Sequence, residues 1–374
     1  MPCIDRITIR GFKSIHALDD FELRPLTVLI GPNGSGKSNL LAAFRMLSAL
    51  AQGRFQLFVR KEDGPDTLLF GGRKRTAAIY ARTVLDGGRC WYELTAEPAG
   101  DILVIRSERL DASGLRGDEE CSSGTMSGAA ATYEGPGGDI ESLLSNEFPP
   151  DACPARLVPE IQRWRVFHFQ DTSREAPVRH SVPVRDNLCL RENGGNLAPF
   201  LHHLKERYPE NHRRIVEAVR LAAPFLDDFV HRNDAGERME LEWFHRDVGR
   251  DTPFGPRQLS DGTLRYICLA TLLNQPEHLQ PNPIIVDEPE LGLHPSALVL
   301  LAETLEQVSS KRQIIVSTQS ADLVSELAPE DIVTVERRDG ESFFERLNGD
   351  RLAEWLEEYT LGDLWRMNVV GGRS

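Results

Sequence analysis

The residues with the clearest chemical potential lie near the amino terminus, in the segment Gly31-Pro32-Asn33-Gly34-Ser35-Gly36-Lys37-Ser38. Glycines let backbone N–H groups approach phosphate oxygens without an intervening side chain. A lysine at this spacing can reach the β- and γ-phosphates of a nucleoside triphosphate, and the serine hydroxyl after it can ligate Mg²⁺. The pattern predicts a phosphate-binding loop whose candidate nucleotide-binding residues are Asn33, Gly34, Ser35, Gly36, Lys37, Ser38 and Asn39.

Two adjacent carboxylates follow a second apolar segment, Pro283-Ile284-Ile285-Val286-Asp287-Glu288. Asp287, at the end of the predicted strand, is placed to hold Mg²⁺ directly or through water. Glu288 can polarise an attacking water molecule as a general base. An acidic loop after a core strand is the structural alternative, and the upstream phosphate loop favours the catalytic interpretation.

The segment Gln258-Leu259-Ser260-Asp261-Gly262-Thr263 precedes a predicted helix. Ser260 or Asp261 would serve as an ordinary N-cap, and the helix amino terminus also attracts anions. The segment resembles the Leu-Ser-Gly-Gly-Gln signature of ABC-type ATPases, with Asp261 at the first glycine and Thr263 at the glutamine. Because it lies shortly before the carboxylate motif, the nucleotide-binding interpretation of Ser260, Asp261 and Gly262 gains weight.

The ordered set of motifs resembles an ABC-class ATPase of the RecF/SMC-like group, related to the ATPase domain of the OLD family. The resemblance covers residues 1–80 and 160–340. It assigns Gln170 to the Q-loop, as a nucleotide and Mg²⁺ contact, and Leu291 to Pro295 to the D-loop. It also assigns Gln319 to the catalytic switch position. It implies a homodimer in which Ser260 to Gly262 of one subunit complete the ATP site of the other.

Two departures from this group have functional consequences. Gln319 stands where many relatives have histidine, and glutamine cannot titrate near neutral pH. Slow or partner-dependent hydrolysis is therefore expected. No heptad pattern long enough for the coiled-coil arms of SMC proteins is found, so the architecture resembles that of RecF, a head with a lid lobe.

The alternation of strands and helices predicts an α/β fold with a mixed or parallel sheet. The resemblance implies an ABC-type P-loop ATPase head with a small antiparallel β lobe and a helical lobe. From Phe55 to Ala96 the pattern favours short strands, and Ser113 to Gly138 favours a mobile loop. Three regions are expected: an amino-terminal half of the head (1–160), a Q-loop and lid region (161–255), and a carboxy-terminal half (256–374).

Composition narrows the location and the partners. The net charge of −14 gives no global argument for DNA binding. No apolar run approaches the roughly 18 residues that span a bilayer, so a cytoplasmic protein without membrane contact is expected. Six scattered cysteines indicate neither a zinc site nor a disulfide framework. The carboxy-terminal region, Tyr359 to Arg373, shows no nuclease constellation and is interpreted as a tail docked on the core, with a partner-binding tail as the alternative.

The motifs therefore predict an Mg²⁺-dependent ATPase, and the resemblance implies that it dimerises around ATP. The resemblance links hydrolysis to a DNA-related process, either DNA repair and maintenance or anti-phage defence, with double-stranded DNA as a candidate partner. The alternative is a regulatory nucleotide switch that gates a separately encoded effector, such as a nuclease, with little direct DNA binding.

Overall fold

The computed structural model describes residues 3–111, 132–135, 137–148, 154–231 and 236–371, and the structural statements below concern these residues. The strands are β1 (Ile4–Phe12), β2 (Ile15–Glu22), β3 (Leu26–Ile30), β4 (Ile79–Leu85), β5 (Cys90–Ala99), β6 (Ile102–Asp111), β7 (Thr132–Glu134), β8 (Val166–Phe167), β9 (Val182–Pro183), β10 (Leu226–Phe229), β11 (Arg238–Met239), β12 (Trp243–His245), β13 (Gly249–Phe254), β14 (Ile284–Asp287), β15 (Ile314–Thr318), β16 (Ile332–Arg338) and β17 (Glu341–Arg346). The helices are α1 (Lys37–Ala51), α2 (Phe55–Lys61), α3 (Pro65–Leu68), α4 (Pro154–Gln162), α5 (Leu197–Arg207), α6 (Pro209–Ala222), α7 (Asp261–Asn274), α8 (Pro295–Ser309), α9 (Ala321–Ser325), α10 (Gly349–Leu356) and α11 (Leu361–Arg366).

The central sheet determines where the chemistry can occur. Its strand order is β17-β16-β3-β15-β14-β8. All neighbouring pairs are parallel except β16 with β17, which is antiparallel. The carboxyl ends of β3, β15, β14 and β8 therefore lie side by side at one edge, where ligands bind in open α/β sheets.

Both faces of this sheet are covered, which explains the continuous apolar runs of its strands. Alternate residues of β3 enter different cores: Val28 joins the cluster that includes α7 and α8, and Leu29 joins the cluster around α1. All five residues of β3 are buried. Burial of an aliphatic side chain contributes roughly 1.5–3 kcal/mol to the free energy of folding. Packing on both faces therefore fixes the strand that carries the phosphate loop.

A second sheet forms the β lobe, with the order β2-β1-β4-β5-β6-β7 and antiparallel pairing throughout. Its buried face and the central sheet enclose α1, whose Leu40, Leu41, Phe44 and Leu47 share one core with both sheets. On the opposite side of the central sheet, α5 packs on α6, and α6 packs on α7 and α8. These are the antiparallel β lobe and the helical lobe expected from the sequence.

One local prediction was wrong, and another differs from the structure at Thr132–Glu134. Residues Phe55 to Lys61 form α2 rather than a strand, because Phe55, Phe58 and Val59 bury one helical face and Glu141 accepts the backbone N–H of Phe55 at 2.8 Å. Of the loop predicted over 113–138, residues 113–131 and 136 lie outside the described residues. Thr132–Glu134, however, pair with β6 as β7.

The carboxy-terminal residues that the structure describes do pack on the core. Leu361, Leu364 and Trp365 of α11 are buried, and α11 packs against α9. Residues 372–374 lie outside the described part of the chain, as do Cys121 and Cys153. The four described cysteines are free thiols. In the described ranges, no helix combines the length and apolar character needed to cross a membrane.

Candidate nucleotide-binding site

The phosphate loop connects β3 to α1 and depends on one glycine in particular. Gly36 precedes α1 with φ +113°, a conformation that L side chains rarely adopt. A Cβ there would also lie 2.0 Å from Ser342 Oγ. Glycine is therefore required at this position both for the backbone conformation and for the close contact with β17.

The loop is held in place by hydrogen bonds to residues that are distant in the sequence. Ser342 Oγ donates to the Ser35 carbonyl at 2.6 Å, and the Ser14 and Ser342 hydroxyls are 2.6 Å apart. Asn39 Nδ2 donates to Ser14 Oγ at 2.6 Å. The predicted nucleotide contact Asn39 thus uses its side-chain amide to anchor the first turn of α1.

Lys37 is buried at the start of α1 and folds back over the loop. Its Nζ donates to the carbonyls of Gly31 at 2.6 Å and Pro32 at 3.1 Å. Burial lowers the pKa of Lys37, and the carboxylates of Glu288, Asp287 and Glu290 oppose that shift. The ammonium group therefore lies in the field of the carboxylates of the second motif.

Asp287 ends β14 with one carboxylate oxygen that has no partner. It is 9% exposed, and its Oδ1 is buried without a hydrogen bond in the described part of the chain. Its Oδ2 lies 3.6 Å from His168 Nδ1. Among the described residues, no group of three or more His, Cys, Asp or Glu side chains could hold a metal ion. Mg²⁺ in nucleotide sites is commonly held by one or two carboxylates plus phosphates, so the free Asp287 oxygen fits that ion.

Glu288 brings three predicted segments together. Its carboxylate accepts hydrogen bonds from Gln170 Nε2 on one oxygen and from Gln319 Nε2 on the other. Its backbone has φ +49°, and its N–H donates to the Ser317 carbonyl at 2.7 Å. The ends of β8, β14 and β15 therefore supply one continuous polar cluster.

Glu290 is a further buried carboxylate beside this cluster. Its Oε1 accepts the backbone N–H of Gln319 at 2.8 Å, and burial raises its pKa. It links the segment after β14 to the switch segment after β15. Glu290 directly precedes the predicted D-loop, and the sequence alone does not reveal this contact.

The signature residues do not join this cluster within the chain. Ser260 caps α7 by accepting the Thr263 N–H at 3.1 Å. Asp261 is held by Arg179 at 2.6 Å, and Arg179 is buried while Asp261 is exposed. Among the described residues, no recorded hydrogen bond joins Ser260, Asp261 or Gly262 to the 31–39 segment. Ser260 and Asp261 are exposed, and Gly262 is half-buried.

The amino-acid sequence matches a known family over both halves of the site. Residues 26–113 and 166–325 match the profile described as "AAA domain, putative AbiEii toxin, Type IV TA system". These stretches make up more than half of the chain. The chain belongs to this AAA-domain family.

Individual relatives of this AAA-domain protein cover it to different extents. It is 24% identical over 347 residues to Old nuclease of Escherichia phage P2, covering 85% of this chain and 56% of that protein. It is 34% identical over 104 residues to the cytochrome c biogenesis ATP-binding export protein CcmA of Rhodospirillum rubrum, covering 27% and 37%. The chain thus spans about half the length of the first relative and less of the second.

Two solved structures with the same fold are heads of SMC proteins. An Smc head bound to the C-terminal winged-helix domain of ScpA superposes with a TM-score of 0.57 at 16% identity, covering 93% of this chain and 99% of that one. An Smc head with an extended coiled coil, bound to the C-terminal domain of ScpA from Pyrococcus furiosus, gives 0.56 at 14% identity, with 96% and 99% covered. The predicted fold class and the predicted relationship to OLD-related, ABC/SMC-like ATPases are confirmed.

Sequence reasoning missed two arginines that organise this P-loop ATPase. Arg179 donates to the Thr172 carbonyl at 2.6 Å and to the carbonyls of Pro256 and Leu259. It therefore ties the Q-loop region to the signature segment. No local pattern distinguishes it from the other arginines of the chain.

Arg265, on the signature helix α7, is the second of these arginines. It donates to the Gln170 carbonyl at 2.6 Å, the Phe169 carbonyl at 3.2 Å and the Leu291 carbonyl at 2.9 Å. The guanidinium group thus joins the signature helix to both the Q-loop and the D-loop. Its position five residues after Ser260 places it on the predicted signature helix. Its partners are backbone carbonyls, which only the fold reveals.

Proposed function

We propose that the chain binds ATP with Mg²⁺ at the 31–38 loop and hydrolyses it with Glu288 as the general base. The observation that carries the proposal is the meeting of Gln170, Glu288 and Gln319 next to the buried Lys37. Backbone N–H groups of Gly34, Ser35 and Gly36, together with Lys37, bind the phosphates. Glu288 orients the attacking water and accepts its proton.

Ser38, Asp287 and Gln170 are the residues that would hold the magnesium ion. When bound, the ion would neutralise charge on the β- and γ-phosphates. Gln319 would then donate its amide hydrogen bond to the γ-phosphate, since glutamine donates without titrating.

The signature residues supply the second part of the proposal, an ATP-sandwiched homodimer. Ser260 and Asp261 are exposed, and the signature segment is held rigidly by the buried Arg179. A rigid, exposed helix amino terminus suits a phosphate brought by another subunit. A γ-phosphate contacted by both chains would couple hydrolysis to opening of the dimer.

One set of variants tests ATP binding, hydrolysis and dimerisation together. Glu288→Gln should bind ATP without turnover and accumulate as a dimer, measured by light scattering after gel filtration. In that background, Lys37→Ala and Ser260→Arg should both remain monomeric, the first through lost ATP binding and the second through a blocked signature. Lys37→Ala alone should release phosphate at no more than about 1% of the wild-type rate, a loss of roughly 3 kcal/mol.

Either of two results would reject this proposal. A Glu288→Gln protein that stays monomeric at high protein and ATP concentrations removes the sandwich. A Lys37→Ala protein that keeps most of its turnover means that the 31–38 loop is not the phosphate site.

We further propose that ATP turnover serves a DNA-related process. The 24% identity to Old nuclease of phage P2 supports this link. Phosphate release should rise several-fold when double-stranded DNA is added at low salt, and the stimulation should decline as salt is raised. A rate unchanged by DNA at every salt concentration opposes the proposal. It would direct attention to a switch that gates a separately encoded effector.

A further inference from the structure

A cavity of about 510 Å³ lies beside the phosphate loop, on the β-lobe side. Its lining includes Lys13, Ser14, Asn39, Asp66, Leu69 and Arg337. Asn39 belongs to the first turn of α1, and Ser14 is its hydrogen-bond partner. The cavity therefore begins where the phosphate loop becomes a helix.

The direction of a nucleotide in the loop follows from the proposed site. Lys37, Glu288 and Gln319 mark the γ-phosphate end. A different cavity, of about 450 Å³ and lined by Gly31, Pro32 and Gln319, lies on that side. The remainder of the nucleotide must leave the loop at the opposite end, along the first turn of α1. That path leads past Asn39 into the 510 Å³ cavity.

Arg337 is the cation of this cavity that is least engaged with other groups. Lys13 pairs with Glu62 at 2.6 Å. Arg337 is exposed, and its recorded hydrogen bonds are 3.4 Å contacts to the carbonyls of Gly34 and Gly340. Within the described ranges it forms no ion pair. A guanidinium group is flat and weakly hydrated, so it stacks on aromatic faces as well as pairing with anions.

We propose that this cavity binds the ribose and base of the nucleotide and that Arg337 packs against the base. The inference rests on the proposed ATP site and adds a residue from the β16–β17 hairpin, beyond the segments that match the family profile. The same hairpin already shapes the loop, because a Cβ on Gly31 would lie 2.3 Å from the Val335 carbonyl oxygen. The hairpin would thus contact both the phosphate loop and the nucleoside.

The neighbouring Arg338 provides a matched control. It bonds to Glu336 and lies over the Phe343 ring at 5.6 Å, and it does not line the cavity. Binding of a non-hydrolysable ATP analogue and of inorganic tripolyphosphate should be measured by titration calorimetry. The variants are Arg337→Ala, Arg337→Lys, Arg338→Ala and Lys37→Ala, with thermal melts to show that each is folded.

The expected pattern separates the nucleoside from the phosphates. Arg337→Ala and Arg337→Lys should weaken the ATP analogue about tenfold and leave tripolyphosphate within about twofold, while Arg338→Ala changes neither. Unchanged analogue binding by Arg337→Ala, an equal loss for both ligands, or full rescue by lysine would overturn the inference. If Lys37→Ala keeps normal binding of both ligands, the ATP site itself is wrong, which is a different failure.

Discussion

The carboxylate of Glu288 is held in a fixed orientation by hydrogen bonds to both of its oxygens. Gln170 and Gln319 each donate to one of its oxygens. A carboxylate has about four acceptor positions, so the two amides fix its plane and still leave room for a water molecule. Its φ of +49° is sparsely populated for a non-glycine residue. Such strain is concentrated at functional positions, where the surrounding structure maintains it.

The glutamine at the switch position gives this cluster a different character from a histidine switch. Gln319 cannot carry a proton near neutral pH, so it can orient Glu288 and a phosphate but cannot add a positive charge. Lys37 is then the main cation of the cluster, although burial lowers its pKa. Slow or partner-dependent hydrolysis therefore stays a prediction of the sequence that the geometry makes physically reasonable.

How far individual site residues could be predicted depends on how they meet. Lys37, Asp287 and Glu288 follow apolar strands whose ends share one sheet edge, so strand recognition was enough to group them. Ser342 and Arg337 approach the loop from a hairpin about three hundred residues later in the chain. Their partners are backbone carbonyls, which every residue has. No residue pattern marks such contacts before the fold is known.

The signature helix α7 packs closely against the D-loop. A Cβ on Gly262 would lie 2.1 Å from the Gly292 carbonyl oxygen. Gly292 has φ +69°, and a Cβ there would lie 2.6 Å from an Arg265 guanidinium nitrogen. The atom that a Gly262 Cβ would meet belongs to the backbone, so it cannot turn aside as a side-chain end could. The signature helix and the D-loop are therefore expected to move as one unit.

The variant Gly262→Ala tests this coupling. Its methyl group should push the D-loop away, with an overpacking cost of roughly 1–3 kcal/mol, and should lower phosphate release about tenfold. ATP binding to the monomer should be retained, because Gly262 does not contact the 31–39 segment of its own chain. Gly255→Ala is the control, since its Cβ would meet only Gln258 Oε1 at 3.5 Å. Equal turnover by the two variants would show that the close contact is unimportant.

Elements were predictable where burial was complete. β3, β14 and β15 are buried throughout, and short, mostly apolar segments identified all of them. By contrast, β17 alternates buried and exposed residues among charged ones, and it forms only because β16 supplies its partner. Tertiary pairing decides such elements, so local sequence could not place them.

At the scale of the whole molecule, a group of buried histidines makes the helical lobe sensitive to acid. His212 of α6 and His231 after β10 are joined by their Nε2 atoms at 2.9 Å, and His202 of α5 stacks on His231. Burial lowers the pKa of His212 to about 4 and that of His231 to about 2. Lys205 adds to both shifts, and Asp228 opposes the shift of His212. Folding of the lobe therefore favours the neutral imidazoles of His212 and His231.

The lowered pKa values of these two histidines predict that the folded chain loses stability as the pH falls. Unfolded histidines take up protons as the pH falls below about 6.5, whereas His212 and His231 in the folded chain do not until much lower pH. The free energy of unfolding therefore falls as the pH decreases from about 6.5 towards 4. The decrease is about 1.4 kcal/mol per pH unit for each imidazole that is protonated in the unfolded chain and neutral in the folded chain. The urea midpoint should drop between pH 7.5 and 5.5. His212→Phe should show a smaller drop, whatever its stability at pH 7.5, while His16→Gln, which alters an exposed imidazole, should behave like the wild type. If the drop is the same in all three proteins, other groups control the acid sensitivity and the buried cluster does not.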